Sequence, residues 1–193
     1  MLGMVQCRYR LNESSDEKLG MNKTDIQNVL FSPDTTVNSV LSMNNPASFE
    51  LFLQSTIDYP LIERERETPV LILSNKSHSE YLLLYQFEGS ISNAFSKFEI
   101  VSAQEYIPSS RLIETNYSSF RTESDLELNM SLGQVIEKKG KDYIKEGESK
   151  IVYSLSEFDK SEFLRRYNMP EYLMELYFRN GHLYRMLYGF TYP

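Results

Sequence analysis

The sequence predicts an α+β protein made of two tandem modules, each with helices packed on an antiparallel sheet. Three observations carry that expectation. "LGMNKTDIQNVLFSPD" at 19–34 returns in weaker form as "LNMSLGQVIEKKGKDY" at 128–143, "EYLLLYQF" at 80–87 returns as "EYLMELYF" at 171–178, and aromatic residues are plentiful (14 Tyr, 11 Phe, no Trp). Internal self-similarity at this scale marks repeated supersecondary units. Tyr and Phe favour half-buried pleated surfaces and so lean toward sheet. The chain has 193 residues, 41% hydrophobic and 24% charged, which suits a packed core.

The first repeat opens with Asn22 as a helix cap, Asp25 three residues on, and Met21 with Ile26 as a hydrophobic staple. Pro33 stops that helix. "NPASFELFLQS" predicts a short helix with Pro46 in its first turn, where the missing N–H costs nothing. Strands are expected over Val70–Leu73, Tyr81–Phe87 and Phe95–Val101. The second repeat opens with Ser131 as cap, Gln134 completing a capping box, and Met130 with Val135 as the staple. Gly140 after Lys138 and Lys139 predicts a left-handed stop. Ile151–Leu155 reads as a strand, Ser161 caps a turn of helix through "EFLRRY", and Pro170 breaks it. Tyr172–Phe178 and Leu183–Phe190 read as a hairpin around Asn180-Gly181, the pair that a type I′ turn prefers. The resulting division is a tail at 1–18, a first module at 19–105, a Ser-, Thr- and Asn-rich linker at 106–124 with one short strand, and a second module at 125–193.

The Leu-x-Met-Ser helix start, the Val four residues after the Ser, the Lys-Gly stop and a terminal hairpin with Asn-Gly resemble the β-lactamase-inhibitor-like fold. That group includes the small lipoprotein of the outer-membrane β-barrel assembly machinery. The matching residues are Leu128, Met130, Ser131, Val135, Gly140, Tyr177, Phe178, Asn180 and Gly181. The tail "FLRRYNMPEYLMELYFRNGHLYRMLYGFTYP" is also similar to the ends of envelope proteins from Bacteroidetes-type bacteria. The resemblance implies non-catalytic protein binding by a helix-on-sheet module of the bacterial cell envelope. Two departures stand against it: Gln6 before Cys7 is a poor lipoprotein cleavage site, and the disulfides of the secreted inhibitor have no counterpart, since Cys7 is alone.

The chemistry of the composition narrows the function classes. A net charge of −7 argues against a nucleic-acid partner, which needs a basic stripe to displace counterions. An acidic surface fits a basic partner or plain solubility. No apolar run approaches the ~20 residues of a membrane span. The N-terminus lacks the apolar core of a complete signal peptide, which leaves the cytoplasm, or the envelope if a leader is missing. His78 and His182 are the only histidines and show no metal-ligand spacing, so neither metal nor cofactor is expected. No Gly-x-Ser-x-Gly and no phosphate-binding Gly loop appears. Glu63, Glu65 and Glu67 alternate with Arg64 and Arg66 and read as a solvated edge, while Asp125 and Glu127 sit ahead of the second helix start.

Tyrosines crowd the C-terminus. Period-2 geometry on the last strand puts His182, Tyr184, Met186, Tyr188 and Phe190 on one face and Leu183, Arg185, Leu187 and Gly189 on the other. If the Leu face packs inward, the Tyr and Met face forms an interface; the opposite assignment makes the aromatic face the core. Tyr, Met and Arg are what interfaces enrich, so the expected partner-binding residues are Tyr177, Tyr184, Arg185 and Tyr188. The expected function is binding of another protein through an exposed sheet face, without catalysis. The alternatives are a small hydrolase using carboxylates in the cleft between the modules, and an immunity or inhibitor protein for one cognate enzyme.

Overall fold

The structure, a computed structural model, describes residues 30–54, 68–87, 90–108 and 112–191. The helix expected at Asn22, the Glu63–Glu67 edge and Cys7 lie outside the described residues.

Strands β1 (Thr36–Val37) and β2 (Leu41–Ser42) form a small ribbon ahead of helix α1 (Pro46–Leu53). Pro46 begins α1 as expected, and Gln54 ends it in the left-handed region. Phe49 meets Phe95 edge-on at 5.1 Å, and Phe52 stacks on Tyr117 at 4.4 Å. Strands β3 (Leu71–Ser74), β4 (Glu80–Tyr85) and β5 (Lys97–Ser102) then run as an antiparallel meander, and β6 (Leu112–Glu114) returns parallel to β3. Helix α2 (Leu132–Lys139) carries the full capping box: Gln134 donates its backbone N–H to Ser131 Oγ, and Ser131 N–H donates to Gln134 Oε1 at 2.8 Å. Strands β7 (Ile144–Glu146) and β8 (Lys150–Leu155), helix α3 (Glu162–Tyr167), and strands β9 (Glu171–Arg179) and β10 (His182–Thr191) complete the chain. Asn180 and Gly181 both take positive φ, 52° and 79°, as the hairpin turn requires. Gly140 ends α2 at φ 81° but with an extended ψ of −172° rather than in a left-handed turn.

The expected architecture of two tandem helix-on-sheet modules is overturned. Eight strands form one continuous mixed sheet in the order β6-β3-β4-β5-β10-β9-β8-β7, with the β1–β2 ribbon apart and only three short helices among the described residues. The joint is β5 against β10, paired antiparallel from Val101↔Arg185 to Lys97↔Gly189. The physical reason is edge satisfaction. A hairpin ending at β10 would leave a ten-residue row of backbone N–H and C=O groups open, and β5 supplies its partner.

The main core lies on one side of the sheet. Leu73, Leu82, Leu84, Phe98, Ile100, Met186, Tyr188, Met174, Leu176 and Tyr153 point there and meet Phe49, Phe52, Val135 and Leu164 from the helices. The stretch Leu30–Val37 is fastened to the same side. Tyr172 Oη donates to the Asp34 carbonyl at 2.7 Å and accepts the Asp34 N–H at 3.1 Å. Lys139, buried at the end of α2, pairs with Asp34 at 2.8 Å and donates to the Ser32 carbonyl.

Candidate protein-binding face

Alternation sends the other half of each strand to the opposite side of the sheet. There, Ile72, Leu83, Tyr85 and Val101 form a second, smaller apolar cluster with Tyr81, Tyr106, Leu112 and Leu187 at its margin. Next to it the face turns polar and aromatic. Register brings Arg185 beside Val101 on one flank and Tyr177 on the other, with Lys150 beyond Tyr177.

The faces of β10 differ from the simple period-2 expectation, and a bulge is the cause. Pairing with β9 slips between Leu183 and Arg185. Leu183 spends its backbone groups on the segment leading into α2: its N–H donates to the Met130 carbonyl and its carbonyl accepts from the Asn129 N–H, both at 2.8 Å. A bulge adds one residue to a strand and re-aims the side chains beyond it. Leu183, Met186, Tyr188 and Phe190 therefore all face the core, while Tyr184, Arg185 and Leu187 do not. Of the four expected binding residues, Tyr177, Tyr184 and Arg185 come together on the open face. Tyr188 lies on the other side, 1% exposed, with its hydroxyl donating to the Thr36 carbonyl at 3.1 Å.

The three open-face residues form the middle of a stack. The Arg179 guanidinium sits over the Tyr184 ring at 4.9 Å, and the Tyr184 and Tyr177 rings are 6.4 Å apart. Arg185 covers Tyr177 at 4.9 Å, with Lys150 on the same ring at 5.3 Å. Cation–ring contacts of this kind hold both partners in place. Carboxylates anchor the stack from below. Glu99, itself buried, accepts from Arg185 Nε at 2.6 Å and from the Tyr85 hydroxyl at 2.5 Å. Glu175 accepts from Lys150 and from the Tyr177 hydroxyl, and Glu105 pairs with Arg179. Burial, reinforced by Glu99, pushes the Tyr85 hydroxyl well above the ordinary tyrosine range. Burial and then the bond to Glu175 raise Tyr177. For Arg185, burial opposes the charge, and Glu99 outweighs it and holds the guanidinium protonated.

At one end the stack opens into a cleft of about 620 Å³. Arg179, Tyr184, Glu105 and Glu80 line it, and so do His78 and His182, which the sequence places in two unrelated turns. The β9–β10 turn and the loop before β4 bring the two imidazoles to one cleft. His78 contacts Glu114 at 3.1 Å, and His182 Nδ1 lies 3.0 Å from the Asn180 carbonyl. Burial lifts the Glu80 carboxyl above its usual range, against a hydrogen bond from the Phe120 N–H. Among the described residues no cluster of His, Cys, Asp or Glu could hold a metal ion. None of their helices is long and apolar enough to cross a membrane.

Sequence reasoning missed Glu99, Glu105, Lys150 and Arg179 as members of this face. For Glu99 a signal exists: a carboxylate within the apolar alternation "KFEIVS" sits opposite Phe98 and Ile100, which requires a charged partner across the strand. For Glu105 and Arg179 no local signal exists, because their contact joins elements far apart in the chain. No family model matches the chain, and neither the curated proteins nor the solved structures contain a match to it.

Proposed function

We propose that this protein binds another protein through the open face of its sheet, without catalysis, the docking surface being centred on Tyr177, Tyr184 and Arg185. The observation that supports this most is the pre-set stack of rings and cations. Each of these half-exposed side chains is already held by a neighbour, so ordering it on binding costs little. Tyr and Arg in such surroundings are the residues whose truncation weakens interfaces most. The resemblance of the C-terminal part to envelope binding modules supports a partner in the cell envelope.

Immobilised protein and its Tyr184→Ala and Tyr177→Ala variants, exposed to native cell extract and read by mass spectrometry, test the reading. The wild type is expected to enrich one protein that the variants lose by about tenfold, a change of about 1.4 kcal/mol, with unchanged melting curves. Equal recovery on wild type and variants overturns it.

A second reading, a small hydrolase, draws on one observation: Glu80 lines the cleft with its carboxyl held protonated toward higher pH by burial. Glu105 in the same cleft is already engaged by Arg179, which favours the binding role. Hydrolysis of any glycoside or ester that Glu80→Gln abolishes would turn the choice toward the enzyme.

A further inference from the structure

Although the whole chain is acidic, the two arginines of this face stand outside the carboxylates they pair with, whereas Glu146, 53% exposed, stands outside Lys150. In the Arg185–Glu99 pair the arginine side chain is 36% exposed and the glutamate side chain 3%; in the Arg179–Glu105 pair the values are 57% and 19%. Lys150 stands level with Glu175, at 20% and 21%. Glu99 and Glu105 therefore sit beneath the two guanidinia rather than beside them. An approaching surface meets the two Arg heads first, with two Tyr rings between them.

Those heads also keep donors to give. Arg185 commits only Nε to Glu99, and Arg179 only Nη1 to Glu105. Both terminal nitrogens of Arg185, and Nε and Nη2 of Arg179, have no protein acceptor among the described residues. A planar guanidinium with unused N–H groups matches a carboxylate in two-point geometry. The net charge of −7 repels an extended polyanion such as nucleic acid at long range. That repulsion is screened beyond about 10 Å at ordinary salt, so a short acidic segment responds to the local cations.

We infer that the open face takes an acidic segment of a partner protein, its carboxylates on Arg179 and Arg185 and its intervening residues over Tyr184 and Tyr177. This rests on the protein-binding reading and adds the partner's chemistry to it.

Fluorescence anisotropy with two labelled probes, a deca-glutamate and a deca-lysine peptide, titrated with the full chain tests the inference. The glutamate probe is expected to bind about tenfold tighter than the lysine probe. Arg179→Glu is expected to weaken the glutamate probe at least fivefold, by removing one of two guanidinia and adding a repulsive charge. Lys160→Glu alters net charge identically at an exposed site ahead of α3 and is expected to change binding less than twofold. Arg179 is more than half exposed, so its replacement leaves the fold intact, which a melting curve checks. Tighter binding of the lysine probe, equal effects of the two variants, or no binding of the glutamate probe overturns the inference. If capture from extract still depends on Tyr184 while the peptide ranking fails, the docking face stands and only the acidic partner falls. If capture itself fails, the face is not a docking surface.

Discussion

Lys139 illustrates how far one side chain can depend on a partner in a distant element. It ends α2, where a basic residue ordinarily complements the helix dipole in solvent. Here it is buried with Asp34, whose carboxylate also accepts from the Ser124 N–H at 3.1 Å and the Ser124 hydroxyl at 2.8 Å. Burial pulls the Lys139 pKa down, and Asp34 pulls it back up without fully restoring it. Lys139→Met is expected to cost about 3–5 kcal/mol, because it strands a buried carboxylate. Adding Asp34→Asn is expected to return part of that loss, since the amide oxygen still accepts from Ser124 and no charge remains. Urea denaturation of the two singles and the double closes the cycle; a neutral Lys139→Met would mean that Asp34 is not held by this lysine. Helical spacing separates Lys139 from Lys138 as the buried one, because Leu132, Val135, Ile136 and Lys139 fall at i, i+3, i+4 and i+7 on one face of α2. What no local pattern encodes is the partner, since Asp34 lies more than a hundred positions upstream.

At the scale of elements, local chemistry was readable wherever a cap or turn is made by residues close in sequence. Ser131 with Gln134, Ser161 accepting from the Leu164 N–H, Pro46 opening α1 and Asn180-Gly181 at the hairpin all stand where the sequence places them. The slip at Leu183 was not readable, because the groups that cause it belong to Asn129 and Met130. The short strands β1, β2 and β7 carry too few residues to show a period. Two glycines on different elements give opposite expectations. Gly189 on β10 has φ 146°, and a Cβ there would meet the Ser96 carbonyl oxygen at 2.5 Å and Lys97 Cα at 2.6 Å. Backbone cannot yield as a side-chain tip can, so Gly189→Ala is expected to cost at least about 2 kcal/mol and to loosen the β5–β10 joint. Gly133 in α2 would place its Cβ 3.9 Å from Ser131 Oγ, an ordinary contact. Gly133→Ala is expected to stabilise by up to about 1 kcal/mol through helix propensity. Paired melting curves check both, and a harmless Gly189→Ala would contradict the tight joint.

Across the whole molecule, the sheet-rich character was legible from aromatic content, whereas the continuity of the sheet was not. Repeated motifs are equally compatible with separate modules and with one shared sheet, and the choice is made by the β5–β10 pairing between residues far apart. That shared sheet buries tyrosines from end to end, and they give the protein a common response to alkali. Tyr172 and Tyr188 are raised well above the ordinary tyrosine pKa, first by burial and then by the charge of Asp34. Tyr85 and Tyr153 are also raised, chiefly by burial. Each keeps its proton in the folded state after the unfolded chain has lost it. Their contribution is therefore complete below the ordinary tyrosine pKa of about 10 and is lost as pH climbs above it toward the folded values, by up to about 1.4 kcal/mol per pH unit for each. Lys139 works with the opposite sign, because its folded pKa is lowered: its burial penalises folding most at lower pH and is relieved as pH approaches the ordinary lysine value. Several raised tyrosines outweigh one lysine, so the urea midpoint is expected to fall steeply between about pH 10 and pH 11.5. Tyr188→Phe removes one of the titrating groups and the bond to the Thr36 carbonyl. It is expected to cost about 1 kcal/mol at neutral pH and to flatten the alkaline fall. A midpoint that stays level through this window, or a Tyr188→Phe variant with the wild-type slope, would mean that these hydroxyls ionise without unfolding the sheet.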